Sequence, residues 1–122
     1  GQALPVPRML TLSMDEIDAR ARRLRHLLVE KGAEADLEVK DVSSAVGGGA
    51  APDTVLPSRA LAVRSRLFSA DTLARRLRES TPPVIARIED GLLLIDLRTV
   101  LPGEDTEVER ALLEILRIPT GS

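Results

Sequence analysis

The dipeptide Asp90-Gly91 stands between two apolar runs, VIARIE at residues 84–89 and LLLIDL at residues 92–97, and nothing else in the chain restricts its folding as tightly. Asp-Gly supplies two positions that tolerate positive φ, as a two-residue hairpin turn of matching twist requires. The register follows: Glu89 lies opposite Leu92, Ile88 opposite Leu93, Ala86 opposite Ile95 and Val84 opposite Leu97, giving one continuous apolar face. The other face carries Ile85, Arg87 and Glu89 beside Leu92, Leu94 and Asp96, with Arg98 two residues on. It is apolar enough to be covered, yet it holds charges, which are seldom buried without partners or a task. This face is expected to pack against something outside the chain.

The rest of the chain supplies elements to complete that hairpin. Ser13 with Glu16 three residues later is a capping box, and Ile17, Ala21, Leu24 and Leu28 recur at helical spacing until Gly32. Acids precede bases along this helix, as its dipole favours, so Arg20, Arg22, Arg23 and Arg25 read as a solvated face rather than a nucleic-acid patch. Residues 37–42 and 59–64 alternate as strands. Ser69 caps a helix over residues 70–79, and a third helix runs over residues 105–116 with Val108, Leu112, Ile115 and Leu116 inward. The order α-β-β-α-β-β-α implies an α+β fold, a two-layer sandwich of a mainly antiparallel four-stranded sheet with helices on one face.

At 122 residues and 43% apolar content the chain is one globular domain, but it has one Phe, no Tyr and no Trp. Its core is therefore aliphatic, and it has no aromatic platform for stacking bases. A net charge of −2 argues against a surface that binds a phosphate backbone strongly. The absence of cysteine excludes disulfides, thiolate metal sites and a cysteine nucleophile. With no bilayer-length apolar run and no signal-peptide pattern, no membrane association and a cytoplasmic location are expected.

Few residues carry chemistry. A single histidine, His26, makes neither a metal site nor a triad. Lys31 and Lys40 lie at a polar helix end and on a charged strand, not in the desolvated pocket of a Schiff-base lysine. The pairs Glu89/Asp90 and Glu104/Asp105 flank a turn and start a helix, both structural positions. Gly47, Gly48 and Gly49 permit close approach to a ligand or a sharp bend, without the spacing of a phosphate loop or dinucleotide fingerprint. Arg98 either forms an internal ion pair with Asp96 or presents its planar fork to a carboxylate or phosphate.

The blocks PVPRML (5–10), SAVGGGAAP (44–52), LPSRALAV (56–63) and PPVIARIEDGLLLIDLRTVLPGED (82–105) resemble, in order, the carboxy-terminal portion of the L-seryl-tRNA(Sec) selenium transferase (selenocysteine synthase) family. The resemblance implies the small carboxy-terminal domain of a fold-type-I pyridoxal phosphate enzyme. Residues 1–12 would form an extended arm to a large domain, 13–118 the α+β domain and 119–122 a tail. The parent would convert seryl-tRNA(Sec) to selenocysteinyl-tRNA(Sec) with selenophosphate and would be a homo-oligomer. Its Schiff-base lysine and cofactor elements are expected upstream of Gly1, so the chain alone should hold no cofactor, no metal and no catalytic residue, and should be inactive.

On the same resemblance Arg98, Arg87, Asp96 and the run Gly47, Gly48, Gly49 would face the substrate or active site. Arg98 would grip a substrate carboxylate, touch the tRNA terminus, bind selenophosphate or brace the domain interface. Ala86 stands where glycine is expected and Arg59 where an aromatic is frequent. Two alternatives remain beside this reading: a related pyridoxal phosphate lyase or aldolase acting on a small amino or sugar acid, and a non-catalytic α+β interaction or regulatory module.

Overall fold

A computed structural model describes residues 12–45 and 55–117. The expected capping box opens the first helix: Ser13 Oγ accepts from Glu16 N at 3.1 Å, and Glu16 Oε1 accepts from Ser13 N at 2.9 Å. Helix α1 (Met14–Glu30) follows, and Gly32, at φ +85°, turns the chain into β1 (Ala35–Ala45). Then come β2 (Val55–Ser65), α2 (Ala70–Arg78) capped by Ser69, β3 (Arg87–Glu89), β4 (Leu92–Asp96) and α3 (Asp105–Leu116). The strands form one antiparallel sheet in the order β1-β2-β4-β3. This is the expected α+β sandwich, with β1 and β2 longer than their alternation suggested.

The hairpin turn has φ 53° at Asp90 and 76° at Gly91, and Glu89 pairs with Leu92 and Ile88 with Leu93, as expected. Its pairing stops sooner than expected. Residues 84–86 are not strand, so Ala86 and Val84 form no ladder with Ile95 and Leu97. Pro82 and Pro83 cannot donate to a ladder, and the Val84 amide donates instead to Leu77 O at the end of α2, at 2.9 Å. That bond draws the segment off the sheet while Val84 stays buried in the core.

The core lies on one side of the sheet. Leu61 and Val63 of β2 and Leu93 and Ile95 of β4 meet Ile17, Leu24 and Leu28 of α1, Leu73 and Leu77 of α2, and Leu112 and Leu116 of α3. One arginine of α1 corrects the expectation of a solvated face, Arg20, while Arg22, Arg23 and Arg25 are exposed as expected. Arg20 binds Asp105 through Nε (3.0 Å) and Nη2 (2.6 Å) and donates to Leu97 O and Val100 O, while Arg25 Nε donates to Leu37 O. Arg22 does remain exposed, bonded to Asp18.

This first helix should make stability sensitive to acid. The Ser13 amide and hydroxyl hold Glu16 below its ordinary value, and the hydrogen bond from Arg22 does the same for Asp18. A depressed carboxylate contributes stability above its unfolded value and loses it as pH falls through the folded one. Thermal midpoints are therefore expected to hold near neutrality and fall below the ordinary values of 4.5 and 3.8. Ser13→Ala should flatten part of that decline; a superimposable pH curve would contradict the capping account.

Candidate functional site

The sheet face away from the helices has an apolar floor, Ala60, Ala62 and Leu94 with Val42 and Leu92 against them. At its end sits Asp96, opposite Ala60 and only 4% exposed. Its Oδ1 accepts from Ser58 Oγ at 2.5 Å and from the Arg98 amide at 3.0 Å, while Oδ2 accepts from Arg87 Nη1 at 2.8 Å. Arg87 also donates from Nε to Glu89 Oε2 at 2.8 Å and from Nη2 to Ser43 O at 2.7 Å. Burial pulls this guanidinium down, but the hydrogen bonds to Asp96 and Glu89 outweigh it and raise it above its ordinary value. Arg87 therefore ties β3 to β4 and β1 while leaving a third of its side chain exposed.

Arg98 behaves differently. Its Nε and Nη2 both donate to Pro57 O, at 3.0 and 2.6 Å, and Nη1 donates to Leu12 O at 3.2 Å; Nη2 also lies 3.7 Å from Met14 Sδ. It is 4% exposed. The possible ion pair between Arg98 and Asp96 is not formed: the carboxylate takes the Arg98 amide, and its guanidinium partner is Arg87. The cause is that β4 ends at Asp96, where Thr99 N and Oγ1 both donate to Asp96 O and turn the chain. Strand alternation no longer applies two residues later. Gly47, Gly48 and Gly49 lie outside the described residues.

Where residues 82–86 leave the sheet, a cleft of about 370 Å³ opens between Ile85, Leu94, Val100 and the start of α3. Arg87 and Asp96 stand on its wall, with Glu104 and Glu107 also lining it. Three carboxylates against one guanidinium disfavour a phosphate backbone there and suit an uncharged or cationic group. The sequence reading missed this cleft, although Pro82-Pro83 ahead of the hairpin was a signal that the strand could not extend.

Lys31 Nζ is bound to Glu109 Oε2 at 2.5 Å, and Lys40 lies on the open face beside Glu38 and Arg64. His26 pairs with Glu30 at 3.2 Å on the exposed side of α1. Among the described residues no group of acids and histidines could hold a metal ion, and no helix is long and apolar enough to cross a membrane.

A family model described as L-seryl-tRNA selenium transferase matches residues 1–101, which takes in the open sheet face, Arg87, Asp96 and Arg98. The chain belongs to that family. Among curated relatives, the L-seryl-tRNA(Sec) selenium transferase of Moorella thermoacetica is 40% identical over 114 residues, 93% of this chain and 24% of the relative. The proteins of the same name from Carboxydothermus hydrogenoformans and Aquifex aeolicus are 38% and 36% identical over 89% and 94% of this chain. The chain thus spans about a quarter of the length of the family members it matches.

Proposed function

We propose that this chain is the carboxy-terminal domain of a pyridoxal phosphate-dependent transferase that converts seryl-tRNA(Sec) to selenocysteinyl-tRNA(Sec) with selenophosphate. The family match over residues 1–101, with relatives named for a selenium transferase and roughly four times as long, carries the reading. Pyridoxal phosphate supplies an electron sink when bound. The described residues do not fit as its site, since one lysine is committed to Glu109 and the other lies on an open strand. The cofactor is therefore assigned to the remainder of the parent protein.

The part played by this chain, on the same proposal, is to seat its open sheet face against that remainder and direct Arg87 and Asp96 toward the active site. Three of the five N–H groups of Arg87 are engaged, leaving one on each terminal nitrogen for an uncharged acceptor of the tRNA end such as a ribose hydroxyl. A homo-oligomeric, cytoplasmic parent belongs to the same reading. The test is direct. Full-length protein given seryl-tRNA(Sec) and selenophosphate should form selenocysteinyl-tRNA(Sec), and the 122-residue chain should form none and leave the absorbance spectrum of added cofactor unchanged. Inactive full-length protein, or turnover by the chain alone, would overturn the proposal.

A further inference from the structure

Strand β1 is an edge of the sheet: it is bonded to β2 along one side, and among the described residues no strand pairs with its other side. The ladder fixes which of its residues face outward. Arg59 O accepts from Leu97 N, on the β4 side of β2, so Asp41, the residue opposite Arg59, turns its own N–H and C=O to the free edge. Alternation puts Leu37, Val39 and Ser43 with it, and the carbonyls of Leu37 and Ser43 accept side-chain bonds, from Arg25 and Arg87. An edge of this kind is a template for another strand, and charges ordinarily blunt it. Here the charges are of opposite sign and symmetric about one residue. Glu38 and Lys40 flank Val39 on the open face, and neither has an ion-pair partner among the described residues.

We infer that β1 pairs antiparallel with β1 of a second copy of this chain, about a two-fold axis at Val39 that joins the two sheets into one. The axis sets Glu38 against Lys40 of the second copy, and by symmetry Lys40 against its Glu38. On the helix side it sets Leu37 against Asp41 of the second copy, a carboxylate 82% exposed, and so brings that acid to Arg25, already seated at Leu37 O. Asp41 is bound to Arg59 through one oxygen and has the other for a second cation; Leu37 O has two lone pairs, so it keeps Arg25 and still accepts from the incoming strand. The neighbouring registers are repulsive. An axis at Leu37 sets Asp36 against Glu38, and an axis at Asp41 sets that acid against itself. The contact occupies the strand edge and leaves the floor of the open face free. It goes beyond the homo-oligomeric parent proposed above, which places no contact, and it does not rest on the parent's activity.

Cysteine crosslinking in the full-length protein tests the register, since residues 1–122 contain no cysteine of their own. Residues 38 and 40 of the two copies would form a non-hydrogen-bonded pair with Cα atoms about 4.5 Å apart, within the reach of a disulfide, whereas residue 38 meets its own counterpart only diagonally, at about 7–8 Å. Glu38→Cys and Lys40→Cys chains, tagged differently and produced together, should therefore give about tenfold more disulfide-linked dimer under mild oxidation than either variant produced alone. Adding Arg25→Glu to both chains should lower that yield several-fold, and adding Asp41→Arg as well should recover it. All four side chains are on the surface, so folding is not at stake. A mixed yield no higher than that of the single variants would overturn the pairing, and so would a mixed yield unmoved by Arg25→Glu. Neither arm needs turnover, so an inactive parent would sink the functional reading and leave the pairing standing or falling by itself.

Discussion

Asp96→Ala is expected to destabilise the domain by about 3 kcal/mol, and to do so through the groups it abandons rather than the charge it removes. Asp96 is the common acceptor for Ser58 Oγ, the Arg98 amide and Arg87 Nη1, and all three are donors with few alternatives. Ser58 is buried, and the other acceptor near its hydroxyl, Arg59 O, lies at 3.5 Å. Removing one partner of a buried charged pair costs about 3–5 kcal/mol, and the lower end applies here because Arg87 keeps Glu89 and some solvent. Asp96→Asn should cost less: one oxygen still accepts from Ser58 and the Arg98 amide, while the new amide faces Arg87 as donor against donor. Urea denaturation of the two variants decides it. A cost under about 1 kcal/mol for Asp96→Ala would mean that the polar group on this face is held by the sheet alone.

Much of this fold could be read because local signals agreed with one another. Asp90-Gly91 set a hairpin and its register, Ser13 with Glu16 set a helix start, and Ser69 set another, each through a bond made within a few residues. The misreadings involve bonds made across the chain. Nothing near Val84 shows that its amide will meet Leu77 O instead of a strand partner, and nothing near Arg20 shows that it will close on Asp105, 85 residues away. Period-two and period-3.6 patterns report which face is apolar; they do not report where a long side chain ends.

The same limit separated the two arginines of the candidate site. Arg87 lies within a ladder, so its face and its neighbour Asp96 followed from alternation. Arg98 lies just past the last strand residue, where alternation lapses and the partner is chosen by which carbonyls the turn brings near. Family resemblance singled out Arg98 and turned it toward the active site, without showing that Pro57 O and Leu12 O would lie within its reach. The acidic cleft beside Arg87 arose from the late start of β3, which only the proline pair foreshadowed.

Leu61→Ala should be about as damaging as the loss of Asp96, at about 3–5 kcal/mol, for a different reason. Leu61 is fully buried at the middle of β2, with Val39 beside it on β1 and Ile95 on β4. Both neighbours are β-branched and stiff about χ1, so neither can swing into the space left behind. No aromatic ring is at hand to fill it either, because the single phenylalanine, Phe68, is engaged 4.5 Å beneath the Arg76 guanidinium. The cost of such a truncation grows with the cavity that persists, and an aliphatic core with rigid neighbours keeps most of it. Leu61→Met, nearly conserving volume, should cost under about 1.5 kcal/mol, and Leu101→Ala at the surface about 0.5 kcal/mol or less. Small domains have only about 5–15 kcal/mol in all, so the alanine variant at Leu61 should show a lowered denaturation midpoint at unchanged m-value. A midpoint within error of the parent would show that the helices close over the gap, and that this core is softer than its β-branched sheet suggests.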